Sequence, residues 1–125
     1  MARHWDIDAA FRQGILRKEV QRFYASPQHC VEVVHTIQER NGRQMHVAIT
    51  KGLASFIGVK DHPELRLENV QPDIAGYILR MIAAFFRLQK IALREGDIVR
   101  MAGVEHTLIY QEGTYLLSWQ QGTET

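Results

Sequence analysis

The stretch Pro72-Asp73-Ile74-Ala75-Gly76-Tyr77-Ile78-Leu79-Arg80-Met81-Ile82-Ala83-Ala84-Phe85-Phe86-Arg87-Leu88, running on through Gln89, Lys90 and Ile91 to Gly96, decides the reading of this chain. Proline is tolerated in a first helical turn and glycine is favoured just past a helix end, so the limits of the segment are marked at both sides. Between them Ile74, Tyr77, Ile78, Met81, Ile82, Phe85, Leu88 and Ala92 recur at helical spacing, and Leu79, Phe86 and Leu93 widen the stripe. Only a narrow arc is polar, and it holds Arg80, Arg87, Lys90 and Arg94. A helix apolar around most of its girth is central in its fold or shared with a partner.

Downstream, three short runs read as a meander: Asp97–Met101, Val104–Tyr110 and Thr114–Gln120. Ala102-Gly103 and Glu112-Gly113 supply two tight turns. Two-residue turns would gather Val99, Met101, Val104, His106, Leu108, Tyr110, Tyr115, Leu117 and Trp119 on one face, ready to be covered by the long helix. Upstream, Cys30–Ile37 and Met45–Ile49 flank Asn41-Gly42, the strongest short hairpin signal, because a type I′ turn needs positive φ at both central residues. The register that follows sets Val34 opposite Ile49, Thr36 opposite Val47 and Gln38 opposite Met45. His35 and His46 then share the other face as diagonal neighbours.

At the N-terminus a helix is expected from about Asp8 to Tyr24, capped by Asp6 or Asp8, with Pro27 beyond its end. Its apolar residues fall on two sides about Gly14, so the helix breaks there or is gripped from both sides. Thr50 reads as the N-cap of a short helix to Ile57, closed by Gly58. From Val59 to Val70 the chain reads as loop with at most a turn of helix. Leu65 and Leu67 alternate as in a strand, while Asp61-His62-Pro63-Glu64 has the form of a helix start. The expected fold is therefore a single α+β domain over residues 1–125. An antiparallel five-stranded curved sheet or partial barrel, built from the hairpin and the meander, packs on a long central helix, with an N-terminal helix and one short helix beside it.

The 125 residues are 46% hydrophobic and 23% charged with a net charge of +1, which excludes a polybasic tail or an acidic disordered segment. The lone Cys30 excludes an internal disulfide and a Cys-rich zinc module. No apolar run follows the first residues and none is long enough to span a bilayer, so a reduced, cytoplasmic protein is expected.

Few residues point to chemistry. No serine sits in a nucleophile elbow, and no glycine-rich phosphate loop is present. Cys30 has His29 and His35 nearby, but a free cysteine at the start of a β-branched strand behaves as a small hydrophobe. His62, Glu64 and His106 have the order of a two-His, one-carboxylate metal site, which makes a small metal-dependent enzyme one alternative, although no metal or other cofactor is assigned. A second alternative is a nucleic-acid-binding protein using Arg80, Arg87, Lys90 and Arg94, with Arg12, Arg17, Lys18 and Arg22 of the first helix adding positive charge. The leading expectation is a non-enzymatic binding module acting as a homodimer or higher oligomer through the helix faces of Phe23, Tyr24, Phe85 and Phe86. Its pocket, for a small apolar ligand, would lie between the long helix and the sheet at His106, Tyr110, Tyr115 and Trp119.

Overall fold

The computed structural model describes residues 2–26 and 30–119. Pro27, His29 and Gln120, read above as a helix stop, a cysteine neighbour and a strand end, lie outside them. The elements run β1 (His4–Asp6), α1 (Ile7–Arg12), α2 (Arg17–Ala25), β2 (Glu32–Arg40), β3 (Arg43–Lys51) and α3 (Leu53–Ile57). They continue with β4 (Glu64–Glu68), α4 (Pro72–Gln89), β5 (Ile98–Met101), β6 (Val104–Gln111) and β7 (Thr114–Ser118).

Among the described residues the sheet has seven strands in the order β1-β5-β6-β7-β4-β3-β2. It is mixed, which corrects the expected antiparallel five-stranded sheet. The hairpin and the meander form in the expected registers, with Val34 opposite Ile49, Thr36 opposite Val47, and Tyr110 opposite Tyr115. Two strands are added. β4 lies between the hairpin and the meander, antiparallel to β3 and parallel to β7. A parallel neighbour needs a long crossover, and α4 with the β5–β6 hairpin supplies it. β1 adds parallel to β5 at one edge.

β4 is a central strand written in charged letters. Leu65 and Leu67 are fully buried on the helix side. On the other face Arg66 is also buried, its guanidinium 3.1 Å from both the Glu68 carboxylate and the Gln111 side-chain oxygen. β1 is three residues long, too short for any period. Arg3 secures it: the guanidinium meets both oxygens of buried Asp97 at 2.9 and 2.7 Å and also donates to the Ala92 carbonyl. Burial alone would raise the Asp97 carboxyl, but the hydrogen bond from Arg3, the backbone N–H of Arg94 and the charge of Arg3 hold it below its ordinary value.

α4 packs one side on the sheet, and Leu79, Met81, Ile82 and Phe86 are fully buried. Phe86 meets Trp5 of β1 edge to face at 5.1 Å. The N-terminal helix breaks at Gly14, which adopts φ 77°, and the two pieces hold α4 through Tyr77, stacked on Phe11 and edge-on to Phe23. α4 stops at Gln89, earlier than the Gly96 limit, with Lys90 left-handed at its end. Leu93 then turns into the core, its backbone N–H bonded to the ring of His62. α3 starts later than expected and Thr50 does not cap it. The Thr50 hydroxyl bonds Glu64 instead, and the Glu64 carboxylate accepts the N–H groups of Gly52 and Leu53. No helix among the described residues is long and apolar enough to cross a membrane.

Candidate anion-binding groove

The side of α4 turned away from the sheet is where charge collects. Arg80 and Arg87 project from it, and the break at Gly14 brings α2 alongside with Lys18, Glu19 and Arg22. Together they line a cavity of about 280 Å3. Its floor and walls are apolar, formed by Met81, Ala84, Leu88 and Phe56 of α3, with Cys30 at one end. A second hollow of about 390 Å3 shares Cys30, Phe56 and Arg87 and adds Lys51 and Glu32.

The two arginines of α4 are held in place. Arg80 donates through Nε to the Val31 carbonyl at 3.2 Å and lies 5.7 Å from the Phe23 ring centre. Arg87 lies 4.8 Å above the ring of Phe56, so part of its ordering cost is met before any ligand arrives. Four cations line the cavity against one carboxylate, and that carboxylate, Glu19, is 3.5 Å from Arg22. Lys18 and Arg87 are exposed and Arg80 is half-buried, and none of these three forms an ion pair with a carboxylate among the described residues. The chemistry on offer is a set of charge-assisted N–H donors beside an apolar floor. Cys30 is not an activated thiolate here: burial pushes its thiol up, outweighing the opposing charges of Arg80 and Arg22.

The sequence-derived basic stripe is therefore divided. Arg80 and Arg87 reach the groove, whereas Lys90 and Arg94 lie beyond the helix end and do not line it. Arg94 is occupied through its backbone N–H, which donates to Asp97 at 2.9 Å.

The proposed apolar pocket falls on the opposite side of α4. His106 is 2% exposed, and neither of its ring nitrogens has a hydrogen-bond partner. Burial lowers its pKa to about 4, so it is a neutral imidazole at pH 7. Tyr115 packs edge-on against both His62 and Tyr110, Trp119 packs against the core, and Tyr110 is half exposed. His106, Tyr115 and Trp119 contribute packing surface at the positions the meander register assigns them, and Tyr110 stands half in solvent.

His62, Glu64 and His106 do not converge. His62 donates from Nδ1 to the Pro63 carbonyl at 2.7 Å and accepts the Leu93 N–H at Nε2, which uses both ring nitrogens. Glu64 is occupied with the start of α3. Among the described residues no group of three or more His, Cys, Asp or Glu side chains is placed to hold a metal. His35 and His46 are diagonal neighbours as expected, in contact at 2.9 Å between His35 Nδ1 and His46 Nε2. His35 lies against Gly76 of α4, and burial together with the charges of His46 and Arg80 lowers its pKa.

The aromatic residues expected at a subunit interface divide too. Phe85 and Phe86 are buried inside this chain, Phe23 is half-buried against Tyr77, and Tyr24 remains 72% exposed. Sequence reasoning missed Phe56 and Leu88 as groove residues. The helix wheel assigned Leu88 to the buried stripe, and no pattern linked α3 to α4. Compared with known proteins, the chain matches no family model, no curated protein and no solved structure.

Proposed function

We propose that this protein is a binding module for a small amphipathic anion, a phosphate or carboxylate carrying an apolar group, held in the groove between α2 and α4. The observation that carries this reading is the convergence of Lys18, Arg22, Arg80 and Arg87 on a cavity floored by Met81, Ala84 and Leu88. Charge-assisted hydrogen bonds are the strong ones, and guanidinium forks match the geometry of carboxylate and phosphate oxygens. Pockets for small ligands run to roughly 300–1,000 Å3, so a cavity of about 280 Å3 suits a compact ligand. The short basic surface, cut off where α4 ends, favours such a ligand over a nucleic-acid strand, which would track along a longer line of phosphate contacts.

Phenyl phosphate is the appropriate probe, with inorganic phosphate and phenol as its two halves. Calorimetric titration should give phenyl phosphate the highest affinity, inorganic phosphate a weaker one and phenol none. Replacing Arg80 and Arg87 together by Gln should weaken phenyl phosphate by at least about a hundredfold, since each lost bond to a charged group is worth roughly 1.5–3 kcal/mol. Equal affinity in the double variant, with the fold intact by circular dichroism, refutes the assignment.

A further inference from the structure

The two edges of the sheet are finished differently. β1 closes one edge with three residues and is tied down by Arg3. β2 forms the other edge over nine residues, each in continuous register with β3, and among the described residues nothing pairs with its outer side. Proteins blunt such edges with proline, charged side chains, a bulge or a covering element. β2, Glu32-Val33-Val34-His35-Thr36-Ile37-Gln38-Glu39-Arg40, contains no proline, no bulge interrupts its ladder, and its carboxylates and its arginine sit at the two ends, leaving Val33 to Gln38 without them. Ile37, on this edge, is 68% exposed.

We infer that β2 pairs antiparallel with β2 of a second copy of this chain, about a two-fold axis at Thr36. Two features of the strand bear on that register: backbone parity permits it, and charge selects it. The first is backbone parity. In a hairpin closed by a two-residue turn, Arg40 and Arg43 form the first hydrogen-bonded pair, so Gln38, Thr36, Val34 and Glu32 bond inward to β3. The amide groups of Val33, His35, Ile37 and Glu39 then point outward. A two-fold at Thr36 sets His35 opposite the partner's Ile37 and Val33 opposite the partner's Glu39, so every outward donor and acceptor on these residues meets its complement.

The second feature is charge. The same register uses the full length of the strand and places Glu32 opposite the partner's Arg40 at both ends, on one face of the sheet. Opposite charges directly across an antiparallel pair stabilise it. Arg40 is exposed and within 3.4 Å of its own Glu68, with room to reach a further carboxylate. Ile37 would be covered by the partner's His35. Glu32 also lines the hollow that adjoins the anion groove, so the pairing sets the partner's Arg40 at the rim of that hollow.

Cysteine cross-linking reads this register directly. The two Thr36 positions form a non-hydrogen-bonded pair, where opposing Cα atoms lie about 4.5 Å apart, within disulfide range. In a Cys30→Ser background, Thr36→Cys should form a disulfide-linked dimer under mild oxidation. Gln38→Cys should not link to itself but should link to Val34→Cys in a mixture. Ile37→Pro removes an outward N–H without touching the β3 ladder, and should leave a folded monomer in sedimentation where the wild type is a dimer. A wild type that is monomeric at high concentration overturns the inference and leaves the edge to a strand of another protein. A dimer that survives Ile37→Pro, or Thr36→Cys that links no faster than Gln38→Cys, also overturns it.

Discussion

The two sides of α4 belong to one helix and do opposite work. On the sheet side, Leu79, Ile82 and Phe86 are fully buried, and the polar groups around them are spoken for: His62 by Pro63 and Leu93, Glu64 by the start of α3, Asp97 by Arg3. Two groups lack a hydrogen-bond partner: the His106 ring, which burial keeps neutral, and Trp5 Nε1 beside Phe86. On the α2 side, cations outnumber carboxylates four to one around a cavity. Buried polar groups that are mostly mated make a scaffold, whereas exposed charges in excess of their mates leave binding capacity unspent. That difference is why the groove is assigned the function and the aromatic sheet face is not.

The comparison breaks most visibly at Phe86. Phe86→Ala should cost about 3–5 kcal/mol in denaturant unfolding, the usual loss for a large buried aromatic, while phenyl phosphate affinity of the folded fraction holds. A loss of under about 1 kcal/mol would mean that the sheet side is loosely packed and open to ligands.

His106 gives the next largest effect, and it depends on pH. Its pKa in the folded protein is about 4, below the 6.5 of a free histidine, so the unfolded chain binds the proton more readily. Stability from this group is complete above pH 6.5 and is lost as pH falls towards 4, by roughly 3 kcal/mol. His106→Leu should remove that part of the acid sensitivity and leave the groove unaffected. Stability curves against pH that superimpose for wild type and variant would place the ring in contact with water or a partner.

These sites also mark how far the sequence could be read. Asn41-Gly42 announces the hairpin because few other residues accept its positive φ, and with the turn fixed the whole β2–β3 register follows. β4 was hidden because Glu64, Arg66 and Glu68 give it a solvent-like face, yet Arg66 is buried through neighbours that come from the end of β6 and from its own strand. The early end of α4 depends on Leu93 finding a place in the core beside His62, a tertiary preference with no local mark. Arg80, Arg87, Lys18 and Arg22 were legible as basic residues on two helices. Their meeting was not, because the angle at which α2 docks is set by Tyr77, Phe11 and Phe23.

Gly76 tests the smallest difference. A Cβ there would lie 2.9 Å from Arg80 Nη1 and 3.6 Å from His35 Nε2, so the flexible guanidinium must shift. Gly76→Ala should alter stability by no more than about 1 kcal/mol, the helix-propensity gain offsetting the displacement. Phenyl phosphate affinity should fall by roughly a fewfold, because Arg80 loses its held position. Unchanged affinity would show that Arg80 finds the ligand from any rotamer.

The most direct test is a backbone amide spectrum of the protein recorded through a titration with phenyl phosphate. The expected result is that resonances of Lys18, Arg22, Phe56, Ala84, Arg87 and Leu88 move together along one saturating curve, while His106, Tyr115 and Leu117 stay still. Movement confined to the sheet residues, with the groove silent, would contradict the division between the two sides of α4.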